Sequence, residues 1–173
     1  MVGWKSRTRG LDERVTLLSY IPMYNYLPEL AMKETRTITL CNPRGSLPAT
    51  DYGLVEMYCA DANCDCRRVF LMIMTPISRE PLAVIAYGWE SLGFYAKWAY
   101  IGDDIKKLSE EKLRDIKEIK GPCLNSTSWQ SKYAPDVLRL VAEHALSDKV
   151  YVDRLKRHYR LFKKIVNERG DME

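Results

Sequence analysis

The segment GLVEMYCADANCDCRRVFLMIMT, residues 53–75, contains two runs of strand-forming residues joined by a cysteine-rich connection. The second run, Arg67 to Thr75, is apolar at both sets of alternating positions, which indicates a central strand covered on both faces. The first run, Gly53 to Cys59, is close to it along the chain, and short connections favour antiparallel neighbours. The segment therefore predicts the centre of an antiparallel sheet with a cysteine loop at one end.

Two further runs extend this sheet. Arg36 to Cys41 and Leu82 to Gly88 are rich in β-branched or apolar residues, and turn residues separate them from the central pair. Gly93 to Ile101 fits either a fifth strand or the start of a helix. We expect an antiparallel sheet of four to five strands within about residues 36–101.

The second half of the chain carries helical signals. Ser109 fits a helix N-cap, with Gly121-Pro122 ending that helix. A second helix is predicted from Pro135 or Asp136 to Leu146. A third, YVDRLKRHYRLFKKIV (residues 151–166), has apolar residues at spacings of three and four. The fold class is therefore α+β, with three helices in residues 108–168 packed on the sheet.

Length and composition predict one domain over residues 1–173. The chain is 46% hydrophobic and 29% charged, as is usual for a globular protein, and residues 1–35 are expected to form an N-terminal arm or helix. No apolar run approaches the roughly 18 residues that span a bilayer, and no secretory signal is recognisable. We expect a cytoplasmic protein without membrane contact. In that reducing compartment, five cysteines are expected to be free or metal-bound.

Three of those cysteines lie close together and predict a metal site. Cys59, Cys64 and Cys66 occur between the two central strands, where the loop allows their sulfurs to converge. A structural zinc ion takes four thiolate or imidazole ligands in a tetrahedron, so one more ligand is needed. We expect one structural zinc ion.

The fourth ligand is predicted to be His158, which lies on the apolar side of the last helix. Ligation there would attach that helix to the sheet. The alternative for such a histidine is a hydrogen-bonded core residue. The other candidates for the fourth position are Cys123, Cys41 and His144, and an iron–sulfur cluster would require Cys41 or Cys123 to join.

Arg67 and Arg68 directly follow the third cysteine. A guanidinium beside the site would stabilise the thiolate form of the cysteines. Strand alternation sends the two arginines to opposite faces, so at most one is expected beside the metal. The other is expected at the surface or paired with Glu56 or Asp65.

The charge distribution suggests a partner. Residues 149–173 carry eight basic and four acidic residues, so they hold the whole net charge of +4. A basic helix face can bind nucleic acid, and it can equally be an ordinary solvated face. The expected partner is an unidentified protein or a nucleic acid, contacted through this helix.

The stretches YCADANCDCRRV (residues 58–69) and RLKRHYRLFK (residues 154–163) resemble a pattern in uncharacterised small prokaryotic proteins. The resemblance implies a metal site that couples the two segments, and it implies no activity.

Three functional hypotheses follow. The first is a zinc-stabilised binding or adaptor module. The second is an enzyme with Cys59, Cys64 or Cys66 as a nucleophile activated by His158 or an arginine. The third is a metal-dependent hydrolase with Asp61 or Asp65 as general base, although cysteine-rich coordination favours a closed site.

Overall fold

The computed structural model describes residues 19–102 and 104–170 and shows an α+β fold, which confirms the predicted class. Its strands are β1 (Tyr20–Pro22), β2 (Arg36–Thr39), β3 (Asp51–Cys59), β4 (Arg68–Met74), β5 (Ala83–Gly88) and β6 (Cys123–Leu124). Its α-helices are α1 (Pro28–Glu34), α2 (Leu92–Trp98), α3 (Glu110–Lys120), α4 (Ala134–Val141) and α5 (Lys149–Gly170). Residues 1–18 of the expected N-terminal arm lie outside the described part of the chain.

All strand pairs in the sheet are antiparallel. β4 lies between β3 and β5, and β6 pairs with β5. The outer edge of β3 is shared: β2 pairs with its start, where Arg36 faces Leu54, and β1 pairs with its end, where Tyr20 faces Cys59. The short strand β1 therefore places an aromatic residue directly beside the first cysteine.

The four strands predicted from the sequence are present with similar boundaries. Gly93 to Ile101 is not a strand, because α2 occupies most of this run and Ser91 caps it by accepting a hydrogen bond from the Phe94 amide at 3.1 Å. β1 and β6 were not predicted. With three and two residues, they are too short to show alternation.

The predicted helices of the second half are also present. Ser109 caps α3, and its hydroxyl accepts from the Lys112 amide at 3.4 Å. α4 continues through a π-helical turn at Ala142–Leu146, where the second helix was expected to end. The longest helix, α5, has 22 residues.

The main core lies between α5 and the sheet. Leu155 and Phe162 of α5 are fully buried, as are Leu54 and Tyr58 of β3. The rings of Tyr58 and Phe162 are 5.6 Å apart between centroids, and the Tyr58 hydroxyl oxygen lies 3.1 Å from the Leu155 carbonyl oxygen. This packing fixes one face of α5 against β3, next to the cysteine loop.

Candidate metal centre

The connection between β3 and β4 brings three sulfur atoms together. Cys59 is the last residue of β3, while Cys64 and Cys66 lie in the loop before β4. Their Sγ atoms all lie within 4.8 Å of one another. Cys59 and Cys66 are buried and Cys64 is half-buried, so the cluster reaches the surface at Cys64.

Local hydrogen bonds determine the shape of the loop. The Asp61 carboxylate accepts from the Asn63 amide at 2.8 Å, and the Asp61 carbonyl accepts from the Cys64 amide at 3.1 Å. Aspartate commonly stabilises a tight turn in this way. The turn reverses the chain after β3, so that the second and third cysteines come back towards the first.

Arg67 lies in the left-handed region, with φ of 48°. This conformation is costly for a non-glycine residue and needs support from its surroundings. The support comes from two tyrosines, because the Tyr95 hydroxyl donates to the Arg67 carbonyl at 2.8 Å and the Arg67 amide donates to the Tyr159 hydroxyl at 3.4 Å. Side chains of α2 and α5 thus hold the backbone that directly follows Cys66.

The two arginines have different roles. The Arg67 guanidinium pairs with Asp65 at 2.9 Å and with Glu90 at 3.4 Å, and it lies 4.8 Å from the centre of the Phe94 ring. One arginine was expected to pair with Glu56 or Asp65, and Arg67 pairs with Asp65. Arg68 instead lies over Phe70 at 5.6 Å. The ion pair between Arg67 and Asp65 thus links the two residues that flank Cys66.

The three thiols of the cluster differ in pKa. The pKa of Cys66 is lowered, chiefly because the Cys59 and Cys64 thiols donate hydrogen bonds to it. Burial opposes this shift, whereas the Tyr20 hydroxyl, 3.4 Å from the sulfur, and the Arg68 amide add to it.

The other two thiols are protonated near neutral pH. A hydrogen bond from Cys64 lowers the pKa of Cys59, but donation to Cys66 and burial outweigh it and raise that pKa to about 11. The pKa of Cys64 is raised because hydrogen bonding with the Cys59 and Cys66 sulfurs, together with partial desolvation, favours its protonated form. A bound metal ion would take the place of these protons, so metal uptake should release them.

The donor set fits a single soft metal ion. In a tetrahedral zinc site with Zn–S bonds of about 2.3 Å, neighbouring sulfurs are about 3.8 Å apart. A separation within 4.8 Å is close to this value, so one ion can contact all three sulfurs after small side-chain movements. Thiolates favour zinc, copper(I) and iron over magnesium or calcium. Cys59, Cys64 and Cys66 could therefore hold a metal ion.

His158 does not join the sulfurs. Among the described residues, the group of metal-ligating side chains that converge contains the three cysteines only. His158 is fully buried, its Nδ1 is 2.7 Å from Glu56 Oε2, and its Nε2 is 3.1 Å from Glu34 Oε2. The expected ligand is thus a hydrogen-bonded core residue. The apolar pattern located its side of the helix, but it carried no information on its partner.

The other candidates for the fourth position also lie elsewhere. Cys41 is exposed, and the Cys123 thiol donates to the Glu118 carbonyl at 3.1 Å. His144 Nε2 is 2.7 Å from the Arg44 guanidinium. An iron–sulfur cluster with four cysteines would need Cys41 or Cys123, and neither is part of the converging group.

A buried hydrogen-bond network takes the place of the expected ligation. Both ring nitrogens of His158 face carboxylate oxygens, and Nε2 also lies 3.3 Å from the Arg157 guanidinium. The Tyr58 hydroxyl also donates to Glu56 at 2.7 Å, and the Arg157 guanidinium donates to Glu34. The network attaches α5 to β3 and to α1. Strand alternation could have indicated Glu56, since it places this carboxylate on the buried face with Leu54 and Tyr58.

The network predicts a loss of stability at acidic pH. Partial burial tends to raise the pKa of Glu34, but hydrogen bonds from His158 and Arg157 outweigh it, and the pKa is lowered. A depressed carboxylate pKa stabilises the fold above the unfolded value of about 4.3, and this contribution is lost as pH falls through the lower folded value.

Glu34→Gln tests this expectation. Relative to the original protein, the variant should be less stable to urea at pH 7, and the difference should shrink from about pH 4 downwards. A difference that stays constant between pH 7 and pH 3 would show that the Glu34 charge does not contribute. Glu29→Gln, in the first turn of the same helix, serves as a control for general charge effects.

No helix within residues 19–102 and 104–170 is both long and apolar enough to cross a membrane. No family model, curated protein or solved structure shows a significant match to the chain. The sulfur cluster is therefore interpreted from its own geometry and chemistry.

Proposed function

We propose that the protein is a small cytoplasmic binding module stabilised by one zinc ion on Cys59, Cys64 and Cys66. The observation that carries this proposal is the convergence of the three sulfurs within 4.8 Å of one another. Zinc suits the site because it binds thiolates, tolerates a tetrahedral geometry and has no redox chemistry of its own. The free state of the described cysteines fits a reducing compartment.

The proposed role of zinc is to hold the end of the sheet together. Its ligands lie at the end of β3 and in the loop before β4, and the loop contacts Tyr20 of β1 and Tyr159 of α5. Zinc binding in a site that is absent from the unfolded chain adds directly to folding stability. The ion would thus fix the surface formed by this loop and α5.

A cysteine nucleophile is less well supported. The thiol with the lowered pKa, Cys66, is 1% exposed, so a substrate has little access to it. Cys64 is more exposed, but its pKa is raised, which lowers its nucleophilicity. The proposed activating histidine, His158, is occupied by Glu34 and Glu56.

A metal-dependent hydrolase is also less well supported. The Asp61 carboxylate accepts from a backbone amide of its own turn. Both oxygens of Asp65 accept from Arg67. Because each carboxylate stabilises the loop, neither is free to act as a general base in this arrangement.

Alkylation before and after zinc removal tests the proposal. In zinc-loaded protein, a maleimide should modify the exposed Cys41 rapidly and leave Cys59, Cys64 and Cys66 unmodified until a chelator is added. Peptide mass mapping gives the extent of modification at each position. If Cys64 reacts as fast with zinc as without it, the sulfurs do not hold the ion.

The proposed contact surface is the exposed side of α5, for an unidentified protein or a nucleic acid. Several of its cations form ion pairs within the protein: Arg157 with Glu34, Lys156 with Asp153 at 3.1 Å, and Lys164 with Glu168 at 3.9 Å. Paired cations are less available to phosphates, so the pairs favour a protein partner.

Oligonucleotide binding at low salt separates the two partner classes. If the partner is a nucleic acid, fluorescence anisotropy should detect binding that weakens steeply with salt and is lost in Lys156→Glu/Arg160→Glu. Arg79→Glu, which reverses an exposed charge between β4 and β5, should keep it. Absence of binding by the original protein at about 20 mM salt would leave a protein partner.

A further inference from the structure

A groove of about 550 Å³ begins at the cysteine cluster and follows α5. Its walls include Asn63 and Cys64 of the loop and Tyr159, Arg160 and Lys163 of the helix. Cys64 is the only cysteine of the cluster in this lining, and the other two are buried. An ion on the three sulfurs would therefore be approached from the groove.

The groove has an excess of positive charge. Its two acidic residues are both paired, Asp65 with Arg67 at 2.9 Å and Glu168 with Lys164 at 3.9 Å. Arg160 forms no ion pair with any residue of the described ranges. Lys163 likewise forms no ion pair with a described residue, so two cations next to the cluster, Arg160 and Lys163, are unpaired within the described ranges.

Lys163 is positioned over the cysteine loop itself. Its Nζ donates to the carbonyl oxygen of Asp61, the residue whose turn brings Cys64 back towards Cys59. A carbonyl accepts a hydrogen bond without neutralising the ammonium charge. The charge of Lys163 thus remains available to a group that enters the groove.

The positions of the charges favour an anionic ligand. Three thiolates and a divalent ion carry one net negative charge, and Arg160 and Lys163 line the groove through which a fourth ligand would enter. A tetrahedral ion needs a fourth ligand, and the side chains of the described residues supply three. A ligand from outside with a donor atom for the ion and a separate negative charge for the two cations would meet both requirements.

We propose that the fourth position is filled by a small organic anion that enters through the groove. Its donor atom is a thiolate or a carboxylate oxygen, and its remaining negative charge is held by Arg160 and Lys163. This inference rests on the proposed metal site. When the donor is a thiol, its proton passes to solvent as its sulfur binds, so no oxidant or reductant is needed.

Cobalt(II) in place of zinc makes the fourth ligand visible, because cobalt–thiolate charge-transfer bands grow with each added sulfur. The probes are mercaptosuccinate, a thiol with two carboxylates, cysteamine, a thiol with an amine, and succinate, which has no thiol. Mercaptosuccinate should half-saturate the spectral change at a concentration about tenfold lower than cysteamine. If succinate alone changes the d–d bands and competes with mercaptosuccinate, the donor is a carboxylate, and the anion site is supported.

Matched variants test the role of the two cations. Arg160→Gln/Lys163→Gln removes both charges and keeps an amide that can donate to Asp61. In this variant, mercaptosuccinate and cysteamine should half-saturate the spectral change at similar concentrations. Lys149→Gln/Lys156→Gln removes two charges from the same helix away from the groove. This variant should still respond to mercaptosuccinate at a lower concentration than to cysteamine.

The outcomes separate this inference from the metal site itself. Cobalt uptake with no spectral change on adding either anion, or with equal response to cysteamine and mercaptosuccinate, would overturn the inference and leave the metal site intact. Failure of the original protein to take up cobalt through its thiols would overturn both. The circular-dichroism spectrum and cobalt stoichiometry of each variant show that the compared proteins are folded and loaded.

Discussion

Cys66→Ser is expected to lower the zinc content from about one ion per chain to below about a tenth of an ion. Cys66 is 1% exposed, and hydrogen bonds from both neighbouring thiols lower its pKa, which favours its thiolate form. A serine hydroxyl stays protonated at neutral pH and is a poor zinc ligand, so the two remaining thiols would bind weakly. Metal analysis after dialysis gives the stoichiometry.

Cys123→Ser is the matched control, because Cys123 is half-buried and lies outside the converging group. It should keep its zinc. Chelator should lower the melting temperature of the original protein and of Cys123→Ser, and it should leave that of Cys66→Ser unchanged. If Cys66→Ser retains a full equivalent of zinc, the cluster is not the binding site.

His158→Leu is expected to destabilise the fold by about 3–5 kcal/mol. The ring of His158 is fully buried and lies 2.7 Å from Glu56, whose carboxylate is 1% exposed. Without the histidine, the buried carboxylate of Glu56 would keep one hydrogen-bond donor, the Tyr58 hydroxyl, which contacts Oε2. Its second oxygen, Oε1, already has no partner among the described residues.

The double variant Glu56→Leu/His158→Leu should recover most of this loss, since replacement of both partners of a buried polar contact by apolar groups is often nearly neutral. His144→Leu is the control, because this second histidine is half exposed, and it should cost less than about 1 kcal/mol. Urea unfolding measures all three. A value for His158→Leu within about 1 kcal/mol of the original protein would contradict the role of the network.

The sheet could be predicted because its central strands are long enough to show their pattern. β3 and β4 have nine and seven residues, and the double-sided apolar run of β4 correctly indicated a central strand, although Met72 and Met74 on one face are half-buried. β1 could not be predicted, because its three residues become a strand only by pairing with the end of β3. That pairing is what brings Tyr20 to Cys66.

Helix α2 illustrates a second limit of predicting structure from sequence. The run Gly93 to Ile101 is rich in aromatic residues, which suit either a strand or a buried helix. Ser91 favours the helix because it forms the N-cap. The buried Tyr95 is held in place by the hydrogen bond from its hydroxyl to the Arg67 carbonyl. Tertiary contacts of this kind are not visible in local propensity.

The convergence of Cys59, Cys64 and Cys66 followed from sequence spacing, because a short loop between paired strands limits how far apart the sulfurs can lie. The position of His158 did not follow, because the same apolar stripe of α5 suits a metal ligand and a buried histidine hydrogen-bonded to carboxylates. The decisive partner, Glu56, lies 102 positions away along the chain. Only the packing of α5 on β3 brings the two together.

X-ray absorption at the zinc edge tests the central claim most directly, because it counts the sulfur atoms bound to the ion. We predict about three sulfurs at roughly 2.3 Å from zinc, together with one further ligand. A first shell made mainly of nitrogen and oxygen, with one sulfur or none, would contradict the claim that Cys59, Cys64 and Cys66 hold the metal.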